Sequence, residues 1–174
     1  MTTQSHIGLA AVLTLTAFSL IVLSGSSQAE VGGDDLTKVV KDIAAELKKG
    51  NDGVAKKKAK AAARKIDMMP DLMAMYRPAD KGGLDLQELL KKGATPKNAE
   101  ELGNLTRAMA ELTLAKGWDP DDVTKTKTQK AWNEFTERLN VAAKELAKAK
   151  KPADVDRAAT KVVDTCAACH KIFK

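Results

Sequence analysis

Cysteine and histidine are almost absent from this chain: two of each occur in 174 residues, and aromatic side chains make up only 3%. Each shortage excludes something. Two cysteines cannot build a multi-disulfide framework. One histidine, His6, lies in a segment that reads as a removable leader, so the rest of the chain cannot assemble four Cys/His ligands around zinc. Aromatics are few and the 29 Lys and Arg are dispersed, which argues against a nucleic-acid partner. No segment shows strand alternation, so a Cys-x-x-Cys pair here lacks the βαβ setting of a thioredoxin-like dithiol.

The few cysteines and histidines that are present fall together. Both cysteines and the second histidine occupy one pentapeptide, Cys166-Ala167-Ala168-Cys169-His170. Scattered at random over ~145 positions, three such residues would fall into this pattern about once in ten thousand times. C-x-x-C-H is the attachment pattern of c-type haem, in which two thiols add across the porphyrin vinyl groups and the adjacent imidazole binds iron. On a helix, residues three apart share a face, so both sulfurs reach one porphyrin edge.

The N-terminus supplies a compartment. Residues 1–29 contain no Asp, Glu, Lys or Arg, and Ile7–Leu23 is an apolar run broken only by Gly8, Thr14, Thr16 and Ser19. Ser27-Gln28-Ala29 offers small residues at −3 and −1 of a cut after Ala29, the pattern of a secretory signal peptide. Met1–His6 lacks the usual basic residue, which leaves an uncleaved N-terminal membrane anchor as the alternative. Cleavage leaves residues 30–174, one domain's worth of chain, with the formal charge of +6 intact. Periplasmic or otherwise exported location suits the motif, because haem attachment to C-x-x-C-H normally follows export. Two lysine clusters, Lys56-Lys57-Lys58 with Lys60 and Lys148 with Lys150-Lys151, read either as solvated helix faces or as docking sites for an acidic redox partner.

Hydrophobic spacing predicts helices throughout. Asp34 or Asp35 caps a helix carrying Leu36, Val39, Val40, Ile43 and Leu47, and Gly50-Asn51-Asp52-Gly53 breaks it. A second helix is expected over Val54–Met69, stopping at Pro70. A short apolar piece follows at Leu72–Tyr76, then a connection over Arg77–Asn98 with room for one helical turn at Leu86–Leu90. Leu102, Leu105, Met109 and Leu112 step by 3, 4 and 3 along a helix Ala99–Lys116 ended by Gly117. Asp119-Pro120-Asp121-Asp122 gives the next segment an acidic, cap-like start. Trp132, Phe135, Leu139 and Leu146 mark a helix Thr126–Lys148. After Pro152 a last helix aligns Val155, Val162, Cys166, Cys169 and Phe173 on one stripe, flanked by His170. Four main helices with short connections predict an all-α bundle.

The ending Cys166-Ala-Ala-Cys-His170-Lys-Ile-Phe173-Lys174 resembles class II cytochromes c, the cytochrome c′ and low-spin c-556 group. The likeness is specific over about Ala153–Lys174. It implies an antiparallel four-helix bundle with one covalent haem c near the end of the last helix, Cys166 and Cys169 as its thioether attachments and His170 as the proximal iron ligand. Homodimers are common among proteins of this kind.

The far side of the iron stays open at this point. With His170 used, the candidates are Met68, Met69, Met73 and Met75 beside the break at Pro70, or no ligand at all; Met109 falls on an apolar core stripe. An antiparallel bundle would instead set Leu36, Val39, Val40 and Ile43 against the haem and leave an open, gas-accessible iron. His/Met ligation favours electron transport by Fe(III)/Fe(II) cycling. An open iron favours binding nitric oxide or carbon monoxide. A peroxidase would need distal acid–base groups, for which only Arg64 or Arg77 is at hand, and both read as surface or loop residues. The expectation is therefore an electron carrier rather than an enzyme.

Overall fold

A computed structural model describes residues 33–173; the expected signal peptide lies outside them. The described residues are all-helical, with the organisation of a helical bundle. No helix among them is long and apolar enough to cross a membrane.

Helix α1, Gly33–Lys48, buries Leu36, Val40, Ile43, Ala44 and Leu47 along one face, as the spacing predicts. Its end is set by Gly50, whose φ of +80° suits a residue without a side chain. The Gly50 amide donates to the Leu47 carbonyl at 3.1 Å and the Asn51 amide to the Glu46 carbonyl at 2.9 Å, the paired bonds of a Schellman motif. The Asn51 carbonyl then accepts from Val54 and Ala55 and opens α2, Asp52–Ala63, after a three-residue connection. Ala55, Ala59 and Ala63 form the buried edge of α2, and Lys56, Lys57, Lys58 and Lys60 are exposed.

The structure corrects the expected second helix. It ends at Ala63, six residues short of Met69, and Pro70 begins a helix rather than stopping one. Met68 is extended, and Pro70 sits in the first turn of α3, Met69–Ala74. Amides in a first turn have no helical partner, so a residue lacking N–H loses nothing there. The chain leaves α2 through i→i+3 bonds at Lys65 and Ile66, which bury Ile66. The expected connection over Arg77–Asn98 holds a 3₁₀ turn, Ala79–Lys81, and a two-turn helix α4, Leu86–Lys92. That loop folds back on α3: the amides of Leu84, Asp85 and Gln87 donate to the carbonyls of Met75, Arg77 and Tyr76 at 2.8–3.0 Å.

Helix α5, Ala99–Lys116, is the hub, buried on nearly every side and packed against α1, α2, α3, α4 and α6. Its contact with α6, Gln129–Lys148, is the most extensive in the molecule. Gly103 makes it close: a methyl group there would lie 2.4 Å from the Ala147 amide nitrogen. Arg107 is 6% exposed yet satisfied, donating to Asp52 at 3.1 Å and to Asn140, which in turn donates to Glu111 at 2.6 Å. Helix α6 starts three residues later than expected, at the cap where the Thr128 hydroxyl accepts from the Ala131 amide. Helix α7, Pro152–Phe173, packs on α6 and α4, with Val155, Val162 and Phe173 buried.

Candidate functional site

The C-terminal turns of α7 form one wall of a cavity of about 410 Å³. That volume falls in the range of about 300–1,000 Å³ common for small-molecule sites. Cys166, Cys169, His170 and Phe173 all line it, so the two sulfurs and the imidazole meet at one cavity. The sulfurs are half-buried and the imidazole is exposed at the mouth. The stripe along α7 is what places them. Val155 and Val162 anchor the helix in the core, and the cysteines follow on the same side one and two turns later.

The opposing walls come from four other segments. Trp132, Phe135, Thr136 and Leu139 of α6 stand beside Trp118 and Thr113 from the end of α5. The rings pack on Phe173 of α7, with centroids at 4.7 Å for Trp118, 5.1 Å for Trp132 and 6.3 Å for Phe135. Both indole N–H groups are satisfied, Trp132 by the Thr113 carbonyl at 3.1 Å and Trp118 by the Asp122 carbonyl at 2.8 Å. Facing this aromatic wall are Met69, Met73 and Tyr76 from α3 and its last turn, and Leu90 from α4. Arg77, Gln87 and Lys91 bring polar groups to the rim. Among the described residues, no Asp or Glu lines the cavity.

The thiols are not those of a reactive redox pair. Burial pushes Cys166 up to about 11, with the neighbouring Cys169 adding to it, and burial alone pushes Cys169 up to about 11. Dithiol oxidoreductases do the reverse and lower the thiol pKa to hold a thiolate. Nor do three or more His, Cys, Asp or Glu side chains cluster as a metal-ion site among the described residues.

Two buried hydroxyls find no hydrogen-bond partner among the described residues, Tyr76 Oη and Thr113 Oγ1, and both residues line this cavity. An orphaned hydroxyl in a protein interior costs about 1–3 kcal/mol. Finding both in one place marks the cavity as shaped for a ligand with acceptor atoms. Haem c fits the residues present. It would match the two thiols and imidazole on one wall and the apolar and aromatic faces around them. Arg77 and Lys91 at the rim carry the sign its two carboxylates need.

The structure sorts the methionines. Met69 and Met73 line the cavity. Met68 is 60% exposed and points elsewhere. Met75 is buried in the core, its sulfur accepting from the Thr37 hydroxyl at 3.7 Å. Met109 is core, as its stripe predicts. The alternative in which Leu36, Val39, Val40 and Ile43 form the far wall is not what the structure has: no residue of α1 lines the cavity. They pack against the core instead, because α3 and α4 fill the space opposite α7. Arg64 is exposed and away from the site, whereas Arg77 reaches its rim. Tyr76 and Thr113 were not singled out by sequence. For Tyr76 a signal existed, since Met69, Met73 and Tyr76 step by 4 and 3 and share one helical face.

No family model, curated protein or solved structure matches this chain.

Proposed function

We propose that this protein is an exported mono-haem c-type cytochrome that carries electrons, an antiparallel four-helix bundle of the class II kind. The observation that carries this reading is the convergence of both thiols, the imidazole and two thioethers on one cavity with no acidic side chain among the described residues that line it. Cys166 and Cys169 would hold the haem through thioether bonds, and His170 would bind its iron. When bound, the haem supplies a one-electron Fe(III)/Fe(II) couple.

The chain's own residues do the rest. Trp118, Trp132, Phe135 and Phe173 form a dry wall that excludes water, which raises the cost of the extra ferric charge and so favours the reduced state. Arg77 and Lys91 hold positive charge at the rim and act in the same direction. Met69 and Met73 line the cavity, and a thioether from either would stabilise the reduced iron further. Lys171, exposed beside His170, extends the basic rim and would draw an acidic partner to the edge where electrons leave. The lysine clusters on α2 and at the α6–α7 junction are not part of that rim. Lys151 precedes Cys166 by 15 residues, about 22 Å along a helix, and Lys150 pairs with Glu100 at 3.1 Å.

Absorption spectra of the purified oxidised and reduced protein, followed by addition of carbon monoxide, test the reading. A low-spin ferric spectrum with a band near 695 nm and slow carbon monoxide binding is expected for His/Met iron. A high-spin spectrum with immediate carbon monoxide binding would replace the electron carrier with a five-coordinate gas-binding protein on the same scaffold.

A further inference from the structure

Cations crowd one stretch of this chain and carboxylates avoid it. Between Asp52 and Asp67 lie Lys56, Lys57, Lys58, Lys60, Arg64 and Lys65, with no Asp or Glu. Six of the chain's 29 Lys and Arg fall here, and the 23 that remain equal the 23 Asp and Glu in number. The formal charge of +6 is thus the charge of this one segment. The fold gathers it onto one surface. Helix α2 packs on α1 and α5 through Ala55, Ala59 and Ala63. On its outer side Lys57, Lys60 and Arg64 step by 3 and 4 along a single ridge, with Lys56 at one flank. All four are exposed. Val54, 45% exposed, and Ala61 lie along the other flank, one turn either side of Lys57. Lys58 turns away to pair with Glu46 at 3.0 Å. Lys56, Lys57, Lys60, Arg64 and Lys65 form no salt bridge among the described residues. Like charges one turn apart repel and weaken a helix, so the fold gains nothing from this ridge.

The chemistry of the ridge selects its partner. No α2 residue lines either of the cavities beside α7, so the ridge offers no cleft to enclose a small anion. Five of its six cations are lysines, point charges on flexible stems rather than guanidinium forks that hold a carboxylate in one geometry. No amide or hydroxyl side chain lies between Val54 and Ile66 to set a register. An acidic protein, with carboxylates at fixed positions, would find nothing here to orient it. A broad, laterally mobile array of phosphates needs no register, and Val54 can rest beside the cations at headgroup level. We propose that the outer face of α2 docks this protein on a bilayer rich in anionic phospholipid, with Lys56, Lys57, Lys60 and Arg64 as its contacts. The attachment is peripheral, because no apolar side chain larger than Val54 stands on that face. It does not engage the Cys166–His170 cavity, and it does not depend on the haem reading.

The test uses the protein as recovered from an exporting host, with vesicles of phosphatidylcholine alone or with phosphatidylglycerol added. Cosedimentation is expected on the anionic vesicles. It should weaken steeply as salt shortens the screening length from about 30 Å at 0.01 M to about 8 Å at 0.15 M. Each cation at such a surface is worth about fivefold in partitioning, so the triple variant Lys57→Gln, Lys60→Gln, Arg64→Gln should lose about a hundredfold. Glutamine matches lysine and arginine closely in helix propensity, so the circular dichroism should not change. The control Lys130→Gln, Lys148→Gln, Lys151→Gln removes the same charge from exposed positions elsewhere and should lose less than about fivefold. Acetylation of amines, mapped by mass, reads the surface residue by residue, whether or not Ile7–Leu23 is still attached. Anionic vesicles should shield Lys56, Lys57 and Lys60 and leave Lys130 and Lys151 reactive. The proposal is overturned if the two triple variants weaken binding equally, if neutral vesicles shield α2 as well as anionic ones do, or if anionic vesicles leave its lysines reactive. In that last case, shielding by soluble polyglutamate would assign the face to an acidic protein instead. The readout is lysine reactivity and vesicle binding, so loss of the haem reading would leave it unchanged.

Discussion

Replacing Gly103 by alanine should loosen the central helix pair and the cavity wall it supports. The added methyl carbon would lie 2.4 Å from the Ala147 nitrogen, 2.7 Å from the Ala147 Cα and 2.7 Å from the Ala143 carbonyl oxygen. All three are backbone atoms of α6, so no rotamer change relieves the overlap. Restoring ordinary contact near 3.5 Å requires α5 and α6 to separate by about 1 Å. Such overpacking costs about 1–3 kcal/mol, and a clash against backbone belongs at the upper end. Alanine returns nearly 1 kcal/mol of helix propensity. The net loss is therefore about 2 kcal/mol, a fall in Tm of about 6–8 °C for a domain of this size. Trp132 donates to the Thr113 carbonyl across the same interface, so its emission should shift as well. Thermal unfolding followed by far-UV circular dichroism is the assay. The control is Gly53→Ala on α2, where the new methyl group meets nothing within 4 Å; it should raise stability by about 0.5–1 kcal/mol. Equal effects of the two substitutions, or a higher Tm for Gly103→Ala, would refute the close packing of α5 on α6.

Other outcomes follow from the same contacts. Asp52→Asn removes the carboxylate that pairs with the buried Arg107 guanidinium, and because Asp52 is itself half exposed the loss should be about 1–2 kcal/mol at pH 7 by urea unfolding. Burial raises the Asp52 carboxyl, but Arg107 and Lys144 outweigh it and hold it below the ordinary aspartate value of 3.8. Its stabilisation is thus present above that pH and lost as pH falls through the depressed value, so the variant should show a flatter acid limb. Haem-free protein should alkylate slowly with iodoacetamide at pH 8, where a thiol titrating at about 11 is only about one part in a thousand thiolate, and the rate should climb through pH 11. Both tryptophans line the cavity, so haem loading should nearly abolish their fluorescence; bright emission from the loaded protein would place the haem elsewhere. Cys166→Ala or Cys169→Ala should weaken covalent attachment as read by mass, whereas His170→Ala should keep the attachment and lose the ligation spectrum.

Sequence carried the regular elements well. The Leu/Met stripe of α5 gave its boundaries, Ala99–Lys116, because a 3.6-residue period and the stop at Gly117 agree. The inward turn of Cys166 and Cys169 was legible from their alignment with Val155 and Val162. Pro70 was misread because proline ends a helix from inside but is welcome in its first turn, and sequence alone does not say which turn it occupies. The alternative far wall on α1 failed for a different reason, while the Met cluster supplied Met69 and Met73 to the cavity. Leu36, Val40 and Ile43 pattern as a buried face, yet periodicity does not name the partner that buries it. That partner is α5 and the shared core, and the short α3–α4 segment takes the place opposite α7. Tyr76 escaped notice because its significance is a missing partner for its hydroxyl, a property of three-dimensional packing rather than of residue type.

The central claim is that Cys166 and Cys169 carry a covalent haem. Intact-protein mass spectrometry after expression with the haem-maturation machinery measures it directly, followed by tryptic mapping of the C-terminal peptide. The account predicts the mass of the mature chain plus one haem, with the added mass on the peptide containing Cys166 through His170. An unmodified mass with two free thiols, under conditions in which other C-x-x-C-H proteins are fully loaded, would contradict it.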